Sequence, residues 1–302
     1  MTVRVGLAGT GYWPEEIHLP VLASCDGVEL VGLWGRNDQR TRSLATTFEV
    51  KPFEKFEDMI AAVDAVVIAV APQAQPQLAL LAARAGKHLL LEKPLAMSNE
   101  DAAAIERAVD TTGVASIVFF MRRFVPVLET ALVGLQREAW HSCRVRMLSA
   151  TIVPGSPYLD SVWRNLDGAV LWDIGPHVLS ILCPVLGGVR SITATRRGHT
   201  VAFTTTHAEA TADVELSLHA EAKDAVSEII FTGAHGEAQL PAFAFSRESR
   251  RDACARALAA LLQNIATGER RHPCDVHFGA AGVPVLVAAE QSMRTGQAVV
   301  LA

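Results

Sequence analysis

The sequence predicts an α/β protein with two domains. Residues 1–121 are expected to form a doubly wound parallel sheet, and residues 122–302 an α+β domain with a large open, mostly antiparallel sheet, whose last helix and strand, 279–301, can pack back near the domain boundary. Three observations predict this: a strand pattern runs directly into a glycine turn near the N-terminus, strand and helix patterns alternate through the first 120 residues, and strand patterns follow one another in the second half.

The composition is that of a globular protein, with 50% hydrophobic residues in 302. The net charge is −5, and the acidic excess lies within residues 1–120, so no basic block exists for a nucleic acid. We expect no membrane segment, because no apolar run approaches the roughly 20 residues of a span. The N-terminus lacks the apolar region of a signal peptide, which favours a cytoplasmic protein.

The cysteines and histidines indicate neither a disulfide framework nor a metal site. The five cysteines are odd in number and scattered, without a CxxC pair, and are expected to be buried thiols. The histidines have no partners at metal-ligand spacing.

The glycine turn is the strongest local signal. Val3, Val5 and Leu7 read as a strand that ends at Gly9-Thr10-Gly11, and a helical pattern follows. Gly9 permits the sharp turn, and Gly11 permits close approach of a pyrophosphate to the helix N-terminus. Pro14 stands where such turns carry a third glycine or alanine, and Glu15 and Glu16 would repel a phosphate placed too close.

A second strand is predicted over Val28–Trp34, followed by Gly35-Arg36-Asn37. An acidic residue at this point binds the ribose of NAD, whereas an arginine accepts the 2′-phosphate of NADP. Arg36 therefore favours NADP over NAD. Two alternatives stay open: Arg36 is a solvated loop residue, or it stacks on adenine with either cofactor.

The rest of the first domain alternates between strands and helices. Strands are predicted over Ala65–Ala71, His88–Glu92 and Val114–Phe120; helices are predicted over 39–48, 56–63 and Pro76–Ala85, and another is capped by Ser98 and Asp101. Because ligands bind at the carboxyl edge of parallel strands, Pro72-Gln73 and Glu92-Lys93-Pro94 should share a crevice with the glycine turn.

The second half predicts helices over 126–138, 168–187, 252–267 and 279–295, and extended segments over 143–153, 189–197, 210–220, 225–232, 237–240 and 298–301. An open sheet needs a cover, so a homodimer or homotetramer through this sheet is expected.

Two motifs carry a family resemblance. At Glu92-Lys93-Pro94 and at Asp173-Ile174-Gly175-Pro176-His177 the chain resembles the glucose-fructose oxidoreductase and inositol dehydrogenase family of NAD(P)-dependent oxidoreductases. The resemblance covers nearly the whole length, including GTGYW at 9–13, AGKHLLLEKPLA at 85–96, the Arg-Arg-Phe segment at 122–124, Trp163-Arg164 and MRTGQAVVL at 293–301. It implies a Rossmann domain, a second domain whose sheet often forms the oligomer contact, and small sugar or polyol substrates.

The resemblance also implies catalytic residues. The matching lysine and histidine are the usual catalytic pair, a role that falls here to Lys93 and His177. A histidine can accept a hydroxyl proton near neutral pH, and a lysine can stabilise a developing alkoxide. Asp173 lies one helical turn before His177 and is expected to orient the imidazole or to bind a substrate hydroxyl.

The complete set of predicted site residues is wider. The predicted cofactor-binding residues are Gly9, Thr10, Gly11, Tyr12, Trp13, Gly35, Arg36, Asn37, Ala71, Pro72, Gln73, Glu92 and Lys93. Weaker substrate-site candidates are Arg122, Trp163, Arg164, Asp173 and His177. Each also has a structural interpretation: a solvated lysine, a helix cap, a core tryptophan.

Departures from the family pattern leave alternatives. Pro76 replaces a common histidine, Asp167-Gly168 replaces a glycine pair, and Ser180 replaces an aspartate that grips polyol hydroxyls. These changes suggest a less hydroxylated or more apolar substrate. Redox-assisted glycoside cleavage and a non-catalytic nucleotide-binding or sensor protein remain alternative functions.

Overall fold

The computed structural model describes residues 2–301, which divide into two compact units. The first contains residues 2–124 and Phe245–Ala280, and the second contains Val125–Ala244 and residues 281–301.

The first unit is built on a six-stranded parallel sheet of order β3-β2-β1-β4-β5-β6. The strands are β1 Val3–Ala8, β2 Val28–Trp34, β3 Lys51–Phe53, β4 Ala65–Ile68, β5 His88–Leu91 and β6 Ser116–Val118. β1 and β4 are neighbours although β2 and β3 intervene in sequence. The strand order therefore reverses between them, and this reversal marks the ligand-binding point of doubly wound sheets.

Helices connect the strands of this sheet. A π-helical turn over Pro14–His18 leads into α1 Leu19–Ser24; the others are α2 Asp38–Thr47, α3 Phe56–Ala62, α4 Gln75–Arg84 and α5 Asn99–Thr112. Ser98 caps α5 by accepting the Asp101 N–H, as its sequence predicts. Ile17 and Leu22, the predicted apolar face of the first helical segment, are both 2% exposed.

One helix that the sequence pattern predicts in the second domain lies in the first unit. α8, Arg247–Thr267, packs against α1, β5 and β6, and the chain then enters α9, Val276–Thr295. Residues 245–280 therefore belong with the parallel sheet and not with the second domain. Helical periodicity marks the apolar face of α8 but does not identify the surface that covers it.

The second unit is built on a seven-stranded sheet of order β12-β11-β7-β10-β9-β8-β13. Its strands are β7 Trp140–Leu148, β8 Ser191–Arg197, β9 Thr200–Thr206, β10 Thr211–Ser217, β11 Val226–Gly233, β12 Gly236–Gln239 and β13 Val299–Val300. Only β7 and β10 pair in parallel. The predicted combination of a parallel sheet with a mostly antiparallel one is confirmed, although β3 and β9 were not predicted as strands.

Helix α7, Ala169–Leu186, packs against β7, β9 and β10 of this second sheet, and α6, Pro126–Leu135, packs against α7. By length and composition alone α7 could cross a membrane, but 72% of it is buried in the fold, as in a core helix. It carries Asp173 and His177, which interrupt its apolar sequence.

All five cysteines are free thiols in the structure. Cys143, Cys254 and Cys274 are buried, whereas Cys25 and Cys183 are partly exposed. Burial raises the pKa of Cys143 and of Cys183 to about 12, which keeps both thiols protonated at neutral pH.

Candidate functional site

The carboxyl ends of the parallel strands lie level with one another. Ala8 pairs in register with Trp34 on one side and with Ile68 on the other, and Ile68 pairs with Leu91. The loops that follow these residues therefore leave the sheet at one edge. These loops are the glycine turn, the Gly35-Arg36-Asn37 segment, the Ala71-Pro72-Gln73 segment and the Glu92-Lys93-Pro94 segment.

The first of these loops has the backbone that the glycine pattern predicts. Gly9 has a φ of +132°, and a Cβ at this position would lie 2.2 Å from the Ala69 carbonyl oxygen. No atom lies within 4 Å of a Cβ built on Gly11. Gly9 is therefore required by the fold, while Gly11 leaves its backbone open to a ligand, as a pyrophosphate cradle needs.

Pro14 fits this turn. It stands at the first position of the helical segment, where proline lacks only an N–H that would be unbonded in any case. Its Cγ would lie 3.0 Å from a Cβ on Gly9, so the proline fills the space beside the turn.

An arginine that was not predicted lies on the glycine turn. Arg40, on the first turn of α2, donates from Nε to the Thr10 carbonyl oxygen, and its guanidinium pairs with the Glu15 carboxylate at 2.6 Å. Arg36 is exposed. Asn37, a predicted cofactor residue, uses its Oδ1 to cap α2 by accepting the Arg40 N–H.

Lys93 stands in a loop whose backbone is fixed on both sides. Gln75, at the start of α4, accepts the Glu92 N–H through Oε1 at 3.0 Å. Its Nε2 donates to the Glu92 carbonyl at 2.6 Å and to the Pro94 carbonyl at 2.7 Å. The peptide bond between Lys93 and Pro94 is cis. Gln75 was not predicted; its one sequence signal is its place at the helix start following the β4 loop.

The Glu92 side chain is equally fixed. Its Oε1 accepts the Trp13 indole N–H at 2.6 Å and lies 2.9 Å from His18 Nε2. Trp13, predicted to bind cofactor, thus connects the glycine turn to the segment that carries Lys93.

Arg122, a substrate-site candidate, also lies in the first unit. Its guanidinium stacks over Phe245 at 5.1 Å from the ring centroid. Burial lowers the pKa of Arg122 to about 10, so the side chain remains a cation at neutral pH.

The remaining candidates lie in the second unit, around α7. The Asp173 carboxylate accepts Arg164 Nε at 2.8 Å and is 7% exposed. The Arg164 guanidinium stacks over Trp163 at 4.3 Å and over Tyr158 at 4.5 Å. Asp173 therefore has a cationic partner that contacts two aromatic rings, an arrangement that the sequence did not indicate.

His177 is partly buried on α7, one turn after Asp173. The fully buried Ser180 donates its hydroxyl to the His177 carbonyl at 2.7 Å. Gly175 has no room for a side chain, since a Cβ would lie 2.8 Å from Leu286 Cδ2. The glycine of the DIGPH motif thus has a packing role.

The second unit also contains a small open cleft at the start of α7. Its charged and titratable lining comprises Arg164, Asp167, Arg196, His199 and His219. The rings of His199 and His219 stack at 4.0 Å, and Arg196 pairs with Asp167 at 2.7 Å. Among residues 2–301, the buried His219 Nδ1 has no hydrogen-bond partner.

Comparison with known proteins gives a consistent result. Residues 3–120 match the model of an oxidoreductase family with an NAD-binding Rossmann fold. The chain is 34% identical over 129 residues to 4-carboxy-2-hydroxymuconate-6-semialdehyde dehydrogenase of a Sphingobium species, covering 41% of this chain and 40% of that protein. It is 30% identical over 185 residues to glucose-6-phosphate 3-dehydrogenase of Bacillus subtilis, covering 59% of this chain and 52% of that protein. The matched segments thus span about half the length of these relatives or less.

The fold has solved counterparts over its whole length. The structure of scyllo-inositol dehydrogenase from Lactobacillus casei, with bound NAD(H) and scyllo-inositol, superposes with a TM-score of 0.85 over 99% of both chains. The sequence identity is 17%, so this likeness concerns the fold alone.

Proposed function

We propose that the chain is an NAD(P)-dependent dehydrogenase or reductase, because residues 3–120 match an oxidoreductase family with an NAD-binding Rossmann fold and the motifs at Lys93 and His177 resemble those of glucose-fructose oxidoreductase and inositol dehydrogenase. It acts on a secondary alcohol or carbonyl of a sugar-like or other small hydroxy compound. One observation carries this proposal: the in-register strand ends place the glycine turn and the Lys93 loop at the same edge of the parallel sheet.

The residues of this edge fit a dinucleotide. The open backbone at Gly11 and the adjacent helical start would hold the pyrophosphate, and the Gly35–Asn37 loop would hold the adenosine ribose. When bound, the nicotinamide accepts or donates the hydride. NADP is the preferred cofactor in this proposal, because Arg36 and Arg40 are the cations beside the loop and the turn.

Lys93 acts on the reacting oxygen. Its ammonium group hydrogen-bonds the substrate oxygen and stabilises the negative charge that develops there during oxidation. This function needs a precise position, which the hydrogen bonds from Gln75 and the fixed Glu92 side chain supply.

His177 acts as the proton acceptor in the oxidative direction. A ring nitrogen takes the hydroxyl proton, and the same group returns it in the reductive direction. Asp173 has its charge balanced by Arg164, which supports a role in holding a substrate hydroxyl or the imidazole without an uncompensated buried charge.

The relatives' names support a small oxygenated substrate, since they name a sugar phosphate and a semialdehyde. Pro14 in the glycine turn and the missing polar clamps, such as the aspartate that Ser180 replaces, are the features that favour the alternative of a non-catalytic protein. That proline stands at a helix position where it is tolerated, which favours a working cofactor site.

The first test is titration of the purified protein with NADPH and NADH, read by Trp13 fluorescence and calorimetry. We expect micromolar binding of NADPH, weaker binding of NADH, and a loss of the difference in Arg36→Ala. Binding of neither cofactor would overturn the proposal.

The second test is turnover on a panel of sugars, sugar phosphates and polyols with the preferred cofactor. Lys93→Met and His177→Ala should each lower kcat by at least a hundredfold with cofactor affinity retained. Normal turnover in both variants would refute the assigned roles.

A further inference from the structure

A buried chain of polar contacts joins the glycine turn to α8 through Glu92. His18 Nε2 lies 2.9 Å from Glu92 Oε1, the oxygen that also accepts the Trp13 indole N–H. On the other side of the ring, His18 Nδ1 lies 3.4 Å from Cys254 Sγ. All four residues belong to the first unit.

The chain of contacts is almost completely shielded from water. His18 and Cys254 are each 1% exposed, and the Glu92 side chain is 12% exposed. A buried histidine between two hydrophobic neighbours would be neutral. Here the neighbours are a carboxylate and a thiol, and the Phe119 ring contacts the imidazole edge-on at 5.9 Å.

The partners fix the protonation of the ring. A carboxylate only accepts hydrogen bonds, so His18 Nε2 carries a proton and donates it to Glu92. Burial by itself lowers the pKa of His18, but the interactions with Cys254 and Glu92 outweigh it and raise that pKa to about 10. The 3.4 Å contact between Nδ1 and Cys254 Sγ fits an imidazolium whose Nδ1–H donates to the sulfur.

We propose that His18, as this imidazolium held between Glu92 and Cys254, is a positioning residue for Lys93. This proposal rests on the catalytic role proposed above for Lys93. His18 acts through Glu92, whose charge it balances and whose side chain it holds against Trp13. Because Lys93 follows Glu92 directly, the contacts of His18 and Trp13 with Glu92 fix the backbone of Lys93 relative to the glycine turn.

Cys254 is the second partner of the His18 ring that the proposal requires. Its sulfur is the acceptor for the second imidazolium proton, and a buried N–H without an acceptor is costly. Cys254→Ala removes the acceptor and should lower the pKa of His18, whereas Cys254→Ser retains an acceptor and should preserve it.

The charge of His18 is measured directly by ¹⁵N NMR of labelled histidine in the full chain. We expect both ring nitrogens of His18 to be protonated at pH 7 in the wild type and in Cys254→Ser. In Cys254→Ala the titration midpoint should fall by at least one pH unit. A neutral His18 at pH 7 in the wild type, or an unchanged midpoint in Cys254→Ala, would overturn the proposal.

The effect on the Lys93 segment is measured by hydrogen exchange and by kinetics. In His18→Gln the Glu92 and Lys93 amides should exchange at least tenfold faster. The kcat should fall at least tenfold, while KM and the cofactor Kd change less than threefold. His207→Gln is the matched control, because His207 is a buried histidine of the second unit bonded to Thr205 and to the Gly187 carbonyl.

The outcomes separate this proposal from the proposed function. If Lys93→Met abolishes turnover and His18→Gln leaves both kcat and exchange unchanged, His18 is not a positioning residue although the function stands. If Lys93→Met has normal turnover while exchange at Glu92 and Lys93 rises in His18→Gln, His18 does fix this segment and the proposed role of Lys93 is wrong.

Discussion

The Gln75 side chain hydrogen-bonds the Glu92 backbone in both directions, accepting its N–H at 3.0 Å and donating to its carbonyl at 2.6 Å. The same N–H also donates to the Ile68 carbonyl of β4 at 3.1 Å, so the Gln75 amide reinforces the strand pairing at this point. The loop after β5 consequently keeps a sheet-like position beyond the last residue of the sheet.

Removal of this amide should destabilise the protein. Gln75→Leu removes the donor to the Glu92 and Pro94 carbonyls, at about 1–3 kcal/mol for each group left unsatisfied. We expect a loss of about 2–4 kcal/mol in the free energy of unfolding, measured with urea.

The control for this substitution is Gln77→Leu, two residues along α4 at an exposed position. It should change stability by less than about 0.5 kcal/mol, as substitutions at exposed sites usually do. Equal stability of the two variants would show that the Gln75 contacts contribute nothing.

The two glycines of the first turn should respond differently to the same substitution. Gly9→Ala places a Cβ 2.2 Å from a backbone oxygen and forces alanine to a φ of +132°, so the variant should unfold more readily or fail to fold. Gly11→Ala meets no atom within 4 Å and should retain wild-type stability while binding NADPH at least tenfold more weakly. Thermal unfolding and calorimetry measure the two effects; retained cofactor affinity in Gly11→Ala would argue against a pyrophosphate at this turn.

Much of this architecture could be predicted from the sequence. Apolar runs located five of the six parallel strands, and the Gly9, Ser98 and Gly11 patterns depend only on neighbouring residues. The short strand β3 was not predicted, because Lys51–Phe53 has only three residues and one of them is a proline. Strand β9 was not predicted, because most of its residues are threonines and the alternation of Val201 and Phe203 is too short to indicate a strand.

The contacts that shape the site could not be predicted in the same way. His18 and Cys254 are 236 positions apart, and Gln75 reaches its partners at separations of 17 to 19. Such pairs arise from packing between elements, and neither periodicity nor local spacing encodes the partner. The motif residues were recognisable, whereas the residues that hold them in place were not.

The Arg164 and Asp173 pair should be sensitive even to a conservative change. Arg164→Gln leaves the Asp173 carboxylate buried without its cation, which typically costs about 3–5 kcal/mol. Arg164→Lys keeps the charge but loses the planar group that stacks on Tyr158 and on Trp163, and should recover only part of that loss. Urea unfolding of the two variants measures the difference.

Arg144→Gln is the matched control for this pair. Arg144 is an exposed arginine of the same unit, 3.9 Å from Glu228, and exposed pairs contribute about 0–1 kcal/mol. A loss in Arg164→Gln no larger than that of Arg144→Gln would indicate that the Asp173 carboxylate is hydrated without its partner.

His219 should give the second unit a dependence on acid pH. Burial lowers the pKa of His219, and the neighbouring His199 lowers it further. When the pKa of a histidine is lower in the folded than in the unfolded state, the unfolded chain binds a proton more readily than the folded chain. The contribution of this histidine to stability is therefore complete above the unfolded pKa of about 6.5 and is lost as the pH falls below that value. In NMR titrations His219 should titrate below 6.5, and in His199→Ala its midpoint should rise because the stacked neighbour no longer repels the imidazolium. An unchanged midpoint would show that desolvation alone sets the protonation of this ring.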